Sequence, residues 1–338
     1  MRYTQVSQQL IEELANLVMK GQSITLLAPR YGGKRHVMKR VRERLEELGQ
    51  TSIVRLKLLG EKPLLIEQEL KEKLLQEIRN AGIEVPGRVD DPFDAIEAHA
   101  KATGKRVILL VSNIDAIAHN LTRRLLEHFR SLVQKERLTV VLSGESDFVE
   151  LVHGPNSDFN CSENFFLQGH TEEDFRVFLN QYNKALSITL DKPEEIQSHF
   201  WLRTGGSTYL VRPLIIEVIE KAARNGDVIT ARKLTMKDFE RMPSSKNIPG
   251  NYWTQLCRHA TRVVALDQDC WPPLRQLISK GQVKVEDNKP TQLEWAGIAV
   301  REGDYLKFAS EMMENYARSH YTNLHWGDLY GRNGRWED

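Results

Sequence analysis

Ser23-Ile24-Thr25-Leu26-Leu27-Ala28-Pro29-Arg30-Tyr31-Gly32-Gly33-Lys34-Arg35-His36-Val37 carries the chain from a strand through a glycine turn into a helix. Ile24-Thr25-Leu26-Leu27 is a short apolar run of the kind that forms a buried strand. Ala28 to Arg35 turns the chain. From His36 to Leu48 the spacing of Val37, Val41, Leu45 and Leu48 predicts one apolar helical stripe. A turn of this kind at the positive end of a helix points backbone N–H groups inward, and a lysine beside it reaches over them. That is the chemistry for holding a phosphate.

The layout resembles the P-loop: strand, G-x-x-x-x-G-K-[ST], helix. Gly33 and Lys34 match its second glycine and its lysine, whereas Ala28 stands where its first glycine would be and Arg35 where the Mg²⁺-holding Ser/Thr would be. The resemblance implies nucleotide binding by Pro29, Arg30, Tyr31, Gly32, Gly33, Lys34, Arg35 and His36.

The chain has 338 residues, enough for two to three domains at roughly 100–200 residues each. With 41% apolar and 28% charged residues it has ample material for a core and the surface of an ordinary globular protein. A formal net charge of +1 gives no global attraction for nucleic acid. No apolar run is long enough to cross a bilayer, and Met1-Arg2-Tyr3-Thr4-Gln5 has no signal core, so no membrane partner and a cytoplasmic location are expected. Cys161, Cys257 and Cys270 lack metal-ligand spacing and read as free thiols, and no metal site is expected.

Helices are expected at Gln5–Lys20, Leu65–Ala81, Phe93–Ala102 and Leu121–Gln134. Strands are expected at Ser52–Leu56, Arg106–Asp115, Leu138–Gly144 and Phe165–Leu167. The alternation predicts an α/β doubly wound parallel sheet. In P-loop ATPases the central strand ends in an acid for the Mg²⁺ shell and often a Glu that activates water. Here Ser112 and Asn113 fill those places. Asp115 is the remaining candidate catalytic acid, but two residues along an extended strand is about 7 Å, and the spacing favours a helix cap or surface pair. Ser143, at the end of Leu138–Gly144, resembles the sensor-1 residue of AAA+ proteins that touches the γ-phosphate; it reads equally as a serine in a glycine turn.

Beyond Phe166, Leu167-Gln168-Gly169-His170-Thr171-Glu172-Glu173 resembles the entry to a helical lid, with helices at Glu172–Leu186 and Glu194–Arg203. Thr204-Gly205-Gly206-Ser207-Thr208 resembles the T-G-G-x-P helix start of archaeal-type and signal-transduction (STAND) ATPases, with Thr208 in place of the Pro. Arg212 is the sensor-2 candidate on that helix, or a surface arginine. Helices at Trp253–Val264, Trp271–Ile278 and Thr291–Ala296, strand Val283–Val285 and a hairpin across Gly303-Asp304 predict a winged helix, followed by a last helix at Glu311–His320. Its would-be recognition helix, Thr291 to Ala296, has no Lys or Arg, so it reads as a packing module rather than a DNA reader. The tail, Trp326 to Asp338, has the Gly327, Tyr330, Gly334 spacing of a tetratricopeptide-repeat helix, or is an unstructured tail with chance spacing.

The whole order resembles an AAA+/STAND-like ATPase, similar to archaeal-type and origin-recognition ATPases: core 1–168, lid 169–246, winged helix 247–321 and tail 322–338. The resemblance implies ATP or ADP as ligand. The departures argue against Mg²⁺ and against hydrolysis: Arg35 replaces the metal hydroxyl, Ser112 and Asn113 the acids, and no Lys or Arg lies between Arg137 and Arg176, where many relatives keep an arginine finger. Arg35 reads as a fixed cation in place of the metal, or as a plug paired with Asp115. The expectation is a degenerate pseudo-ATPase that works as a signalling or assembly scaffold with a protein partner. The alternatives are an active ATPase using Lys34 and Asp115, and an initiator-like ATPase with DNA as partner. The basic residues Lys39, Arg40, Arg42 and Arg44 read as a solvated face shared with Glu43, Glu46 and Glu47, or as an anion patch.

Overall fold

The computed structural model describes residues 2–4, 8–28, 32–50, 52–58, 67–85, 89–114, 117, 119–145, 148, 159–168, 172–185, 187–207, 210, 214–219, 233–240, 252–266, 268–286 and 291–322. The chain divides into two compact units, one of Met1–Ala28 with Gly32–Gln168 and one from Gly169 onward.

The first unit is built on six parallel strands: β1 (Arg2–Thr4), β2 (Ser23–Leu27), β3 (Ile53–Lys57), β4 (Val107–Ser112), β5 (Leu138–Gly144) and β6 (Ser162–Gln168). They lie side by side in the order β1-β6-β2-β5-β4-β3. Every residue of β2, β4 and β5 is buried, as their unbroken apolar runs require when helices cover both faces. β3 alternates between half-buried and buried residues, which suits an edge.

Among the described residues these helices accompany the sheet: α1 (Gln8–Met19), α2 (Lys34–Glu47), α3 (Glu67–Asn80), α4 (Pro92–Thr103) and α5 (His119–Gln134). α1 and α2 share one buried cluster, in which Leu10, Leu14, Val37, Val41 and Leu45 meet Ile24, Leu26, Phe165 and Leu167. Right-handed crossovers put α2 on one face and α3 to α5 on the other. The chain leaves β2 through α2, passes over β5 and β4 to β3, then steps back strand by strand. β2 is therefore flanked by the last two strands to be made. The crevice at its carboxyl end is the switch point where α/β sheets bind ligands.

The sequence reading differs from the structure at several edges. β1 was not anticipated: it is three residues long, and its parallel partner β6 is distant in sequence. The described part of the first helix begins at Gln8, residues 5–7 lying outside the described residues, and α2 begins at Lys34 rather than His36. β6 has seven residues where three were expected, because the polar Ser162, Glu163 and Asn164 pair in register with β2.

The second unit contains α6 (Glu172–Ala185), β7 (Thr189–Leu190), α7 (Pro193–Thr204), helix at 214–219, β8 (Lys233–Leu234), α8 (Met236–Glu240), α9 (Tyr252–Leu266), α10 (Trp271–Lys280), β9 (Gln282–Lys284), α11 (Gln292–Trp295), β10 (Ala299–Glu302), β11 (Tyr305–Phe308) and α12 (Glu311–Tyr321). β10, β11 and β9 form an antiparallel sheet with the two-residue turn Gly303-Asp304, and with α9 to α11 they make a winged helix. One buried cluster spans the unit, from Phe175, Ile196 and Phe200 to Leu274, Leu306 and Tyr321. The small parallel pair β7–β8 was not anticipated. Gly205 explains the T-G-G stretch: it ends α7 at φ 58°, and a Cβ there would lie 1.7 Å from the Ala309 carbonyl oxygen. The Thr208 and Arg212 positions and the tail 323–338 fall outside the described residues.

Candidate phosphate-binding site

α2 begins at the carboxyl end of β2. Gly33 is its N-cap, in a left-handed conformation at φ 80° that a side chain would strain, and no side chain caps the helix. The Gly33 carbonyl accepts from the His36 and Val37 N–H groups at 2.8 and 3.1 Å, which starts the helical ladder. The helix positive end and its earliest N–H groups are thus directed at the loop.

Lys34 is the first helical residue and is only 6% exposed. A buried ammonium is costly unless its charge is met. Its Nζ donates to the Ala28 carbonyl at 2.8 Å and lies 3.8 Å from Glu145 Oε1. Ala28 N–H in turn reaches the Gly144 carbonyl at 3.4 Å, so the ends of β2 and β5 converge on the lysine. Glu145 was not singled out from the sequence. It follows β5 by one residue, and only the register of Leu27 opposite Gly144 brings it to the loop.

Arg35 and His36 are exposed, and Gly32 is half-buried. His36 is held below the ordinary histidine value, first by burial around its ring and then by the Arg40 and Lys39 cations, against Glu43. Pro29, Arg30 and Tyr31 lie outside the described residues, as does Asp115.

Ser143 is fully buried at the end of β5. Its Oγ accepts the Asn113 backbone N–H at 3.2 Å. Asn113 stands in a left-handed conformation at φ 60°, and its Nδ2 donates to the Leu58 carbonyl at 3.3 Å. The Leu58 N–H donates to the Ser112 carbonyl at 3.2 Å. The tips of β3, β4 and β5 are thereby tied together, and the amide at the expected catalytic-acid position serves as a brace. Among the described residues no group of three His, Cys, Asp or Glu side chains is placed to hold a metal ion, and no described helix is long and apolar enough to cross a membrane.

Strand order, loop, helix start and winged helix together define the P-loop AAA+ fold with a helical lid and a C-terminal winged helix. The chain is similar in fold to the crystal structure of Cdc6p from Pyrobaculum aerophilum, at 14% identity over 93% of each chain and a TM-score of 0.53. It also aligns with the Aeropyrum pernix ORC2 protein, solved as ADPNP-ADP complexes (11% identity, 94% of this chain and 95% of that one, TM-score 0.47). A third match is the A. pernix ORC1 protein in complex with DNA (15% identity, 94% and 93%, TM-score 0.37). At such identities the likeness is one of fold. No protein-family model and no curated protein sequence matches the chain.

Proposed function

We propose that the first unit binds the phosphates of ATP or ADP at Gly32, Gly33, Lys34 and the start of α2, and hydrolyses them too slowly to drive a cycle. The observation that carries this reading is the buried Lys34 ammonium at the uncapped end of α2, held by the Ala28 carbonyl and Glu145. The donor set suits an anion: backbone N–H groups, a helix end and a lysine. It does not suit Mg²⁺, since the hydroxyl position is Arg35 and Asn113 spends its amide on Leu58. Arg35 supplies a fixed positive charge instead. Without the metal shell, the acids and a finger worth about 10³–10⁵ in rate, the nucleotide is a ligand rather than a fuel. On this reading the protein is a nucleotide-responsive scaffold with a protein partner, located in the cytoplasm.

Titration calorimetry with ATP and ADP, with and without Mg²⁺, tests the reading. Binding that is insensitive to Mg²⁺ and lost in Lys34→Ala is the expected result. Steady turnover of ATP abolished by Lys34→Ala would overturn the pseudo-ATPase reading in favour of an active ATPase. Duplex DNA affinity that falls steeply with salt and depends on nucleotide would favour the initiator-like reading.

A further inference from the structure

At the open edge of the sheet, α2, β3 and α3 line a half-open cavity of about 440 Å³. Its floor is the α2 side of β3, because Ile53 packs against the α1–α2 cluster and the period of two puts Arg55 and Lys57 on the same side, and it opens around the sheet edge to the end of α3 on the other face. Arg42 enters from α2, two turns past Lys34, and Glu46 one turn further. Glu77 and Asn80 close the α3 wall.

The charges in this cavity are unbalanced. Glu46 Oε1 lies 3.3 Å from Arg42 Nε, yet that Nε is buried without a hydrogen bond of proper geometry. Glu77 accepts from Asn80 Nδ2 at 3.4 Å. Arg55 and Lys57 make no ion pair with any described residue. Arg55 is held below the ordinary arginine value, chiefly by burial and then by the charges of Arg42 and Arg35, with Glu77 and Glu46 opposing. Cations crowded in a concave, half-dry site are stabilised by an anion that accepts from several of them at once.

We propose that this cavity is a second anion site, taking the phosphate group of a small phosphorylated ligand on Arg42, Arg55 and Lys57, separate from the loop after β2. The volume is that of a small-molecule pocket. Two guanidinium groups present forks that match a phosphate in pairs of hydrogen bonds. A polymer backbone is disfavoured, because each helical wall carries a glutamate beside the cations and would repel the neighbouring phosphates.

The test uses the full chain carrying Lys34→Ala, which removes the loop as a phosphate site. Inorganic phosphate is titrated and followed by calorimetry and by the NMR resonance of the Arg55 side-chain N–H. Saturable binding that shifts the Arg55 resonance, and weakens at least tenfold in Lys57→Gln and in Arg55→Gln, is the expected result. The resonance reports on the unsubstituted site should Arg55→Gln fail to fold. An equal response to chloride, an unmoved Arg55 resonance, or unchanged affinity in Lys57→Gln overturns the proposal. Binding to a duplex oligonucleotide without saturable binding of phosphate overturns it too and reassigns the cations to a nucleic-acid backbone.

Discussion

A lysine with 6% of its surface exposed is normally expelled from a core, so its neighbours must meet its charge. Lys34 was legible in the sequence because a strand, a Gly-Gly turn and an amphipathic helix frame it. Glu145 was not, since nothing in Leu142-Ser143-Gly144-Glu145 points at residue 34; pairing of β2 with β5 supplies the proximity. Asn113 was read as a lost acid. Its role in bracing Leu58 depends on a left-handed backbone that the letters do not disclose. Gly205 carries a prediction at this scale. Gly205→Ala forces a Cβ into the left-handed region, at roughly 1–2 kcal/mol, and against the Ala309 carbonyl oxygen, so the total loss exceeds about 2 kcal/mol. Urea denaturation of the variant checks it, and a loss below about 0.5 kcal/mol would contradict the close approach.

At the scale of elements, strong periodicity was easy to read and weak edges were not. α1 to α5 and the buried strands β2, β4 and β5 declare themselves by apolar spacing. β1 and β7 exist only because a distant strand pairs with them, which no local pattern encodes. In the winged helix, the lack of basic residues on α11 was visible in the sequence, but the use made of Glu294 was not. It completes the capping box with Thr291 and pairs with Arg301 of β10 at 3.1 Å, both side chains being under 7% exposed. Removing one partner strands a buried charge, so Arg301→Ala should destabilise by about 3–5 kcal/mol, whereas Arg301→Met with Glu294→Leu should recover much of that loss. Denaturant midpoints of the single and double variants measure the difference. Equal loss in both would show that packing, not the ion pair, is what matters there.

For the whole molecule, the division into two compact units, with one buried cluster running through the second and another joining α1 and α2 to the sheet of the first, implies two cooperative units. Phe200 is fully buried in the second cluster, so Phe200→Ala should cost about 3–5 kcal/mol there. Differential scanning calorimetry should resolve two transitions, with only one lowered by Phe200→Ala. ADP at about 100 times its dissociation constant should raise the other by roughly 2.7 kcal/mol. A single transition displaced by both treatments would show that the units unfold as one. The common core running from α6 to α12 was not legible in the sequence, because side-chain contacts across a long separation leave no periodic trace.

The position of β2 bears on how the protein is made. Both neighbours that hold the strand, β5 and β6, are synthesised more than a hundred residues after it. Lys34 therefore has no finished pocket while most of the first unit is being translated, since long-range parallel pairing waits for its partners. Any nascent chain stopped short of β6 carries the glycine turn and its lysine in full but lacks the neighbours that shape them, so the cradle matures only at the end of that unit's synthesis.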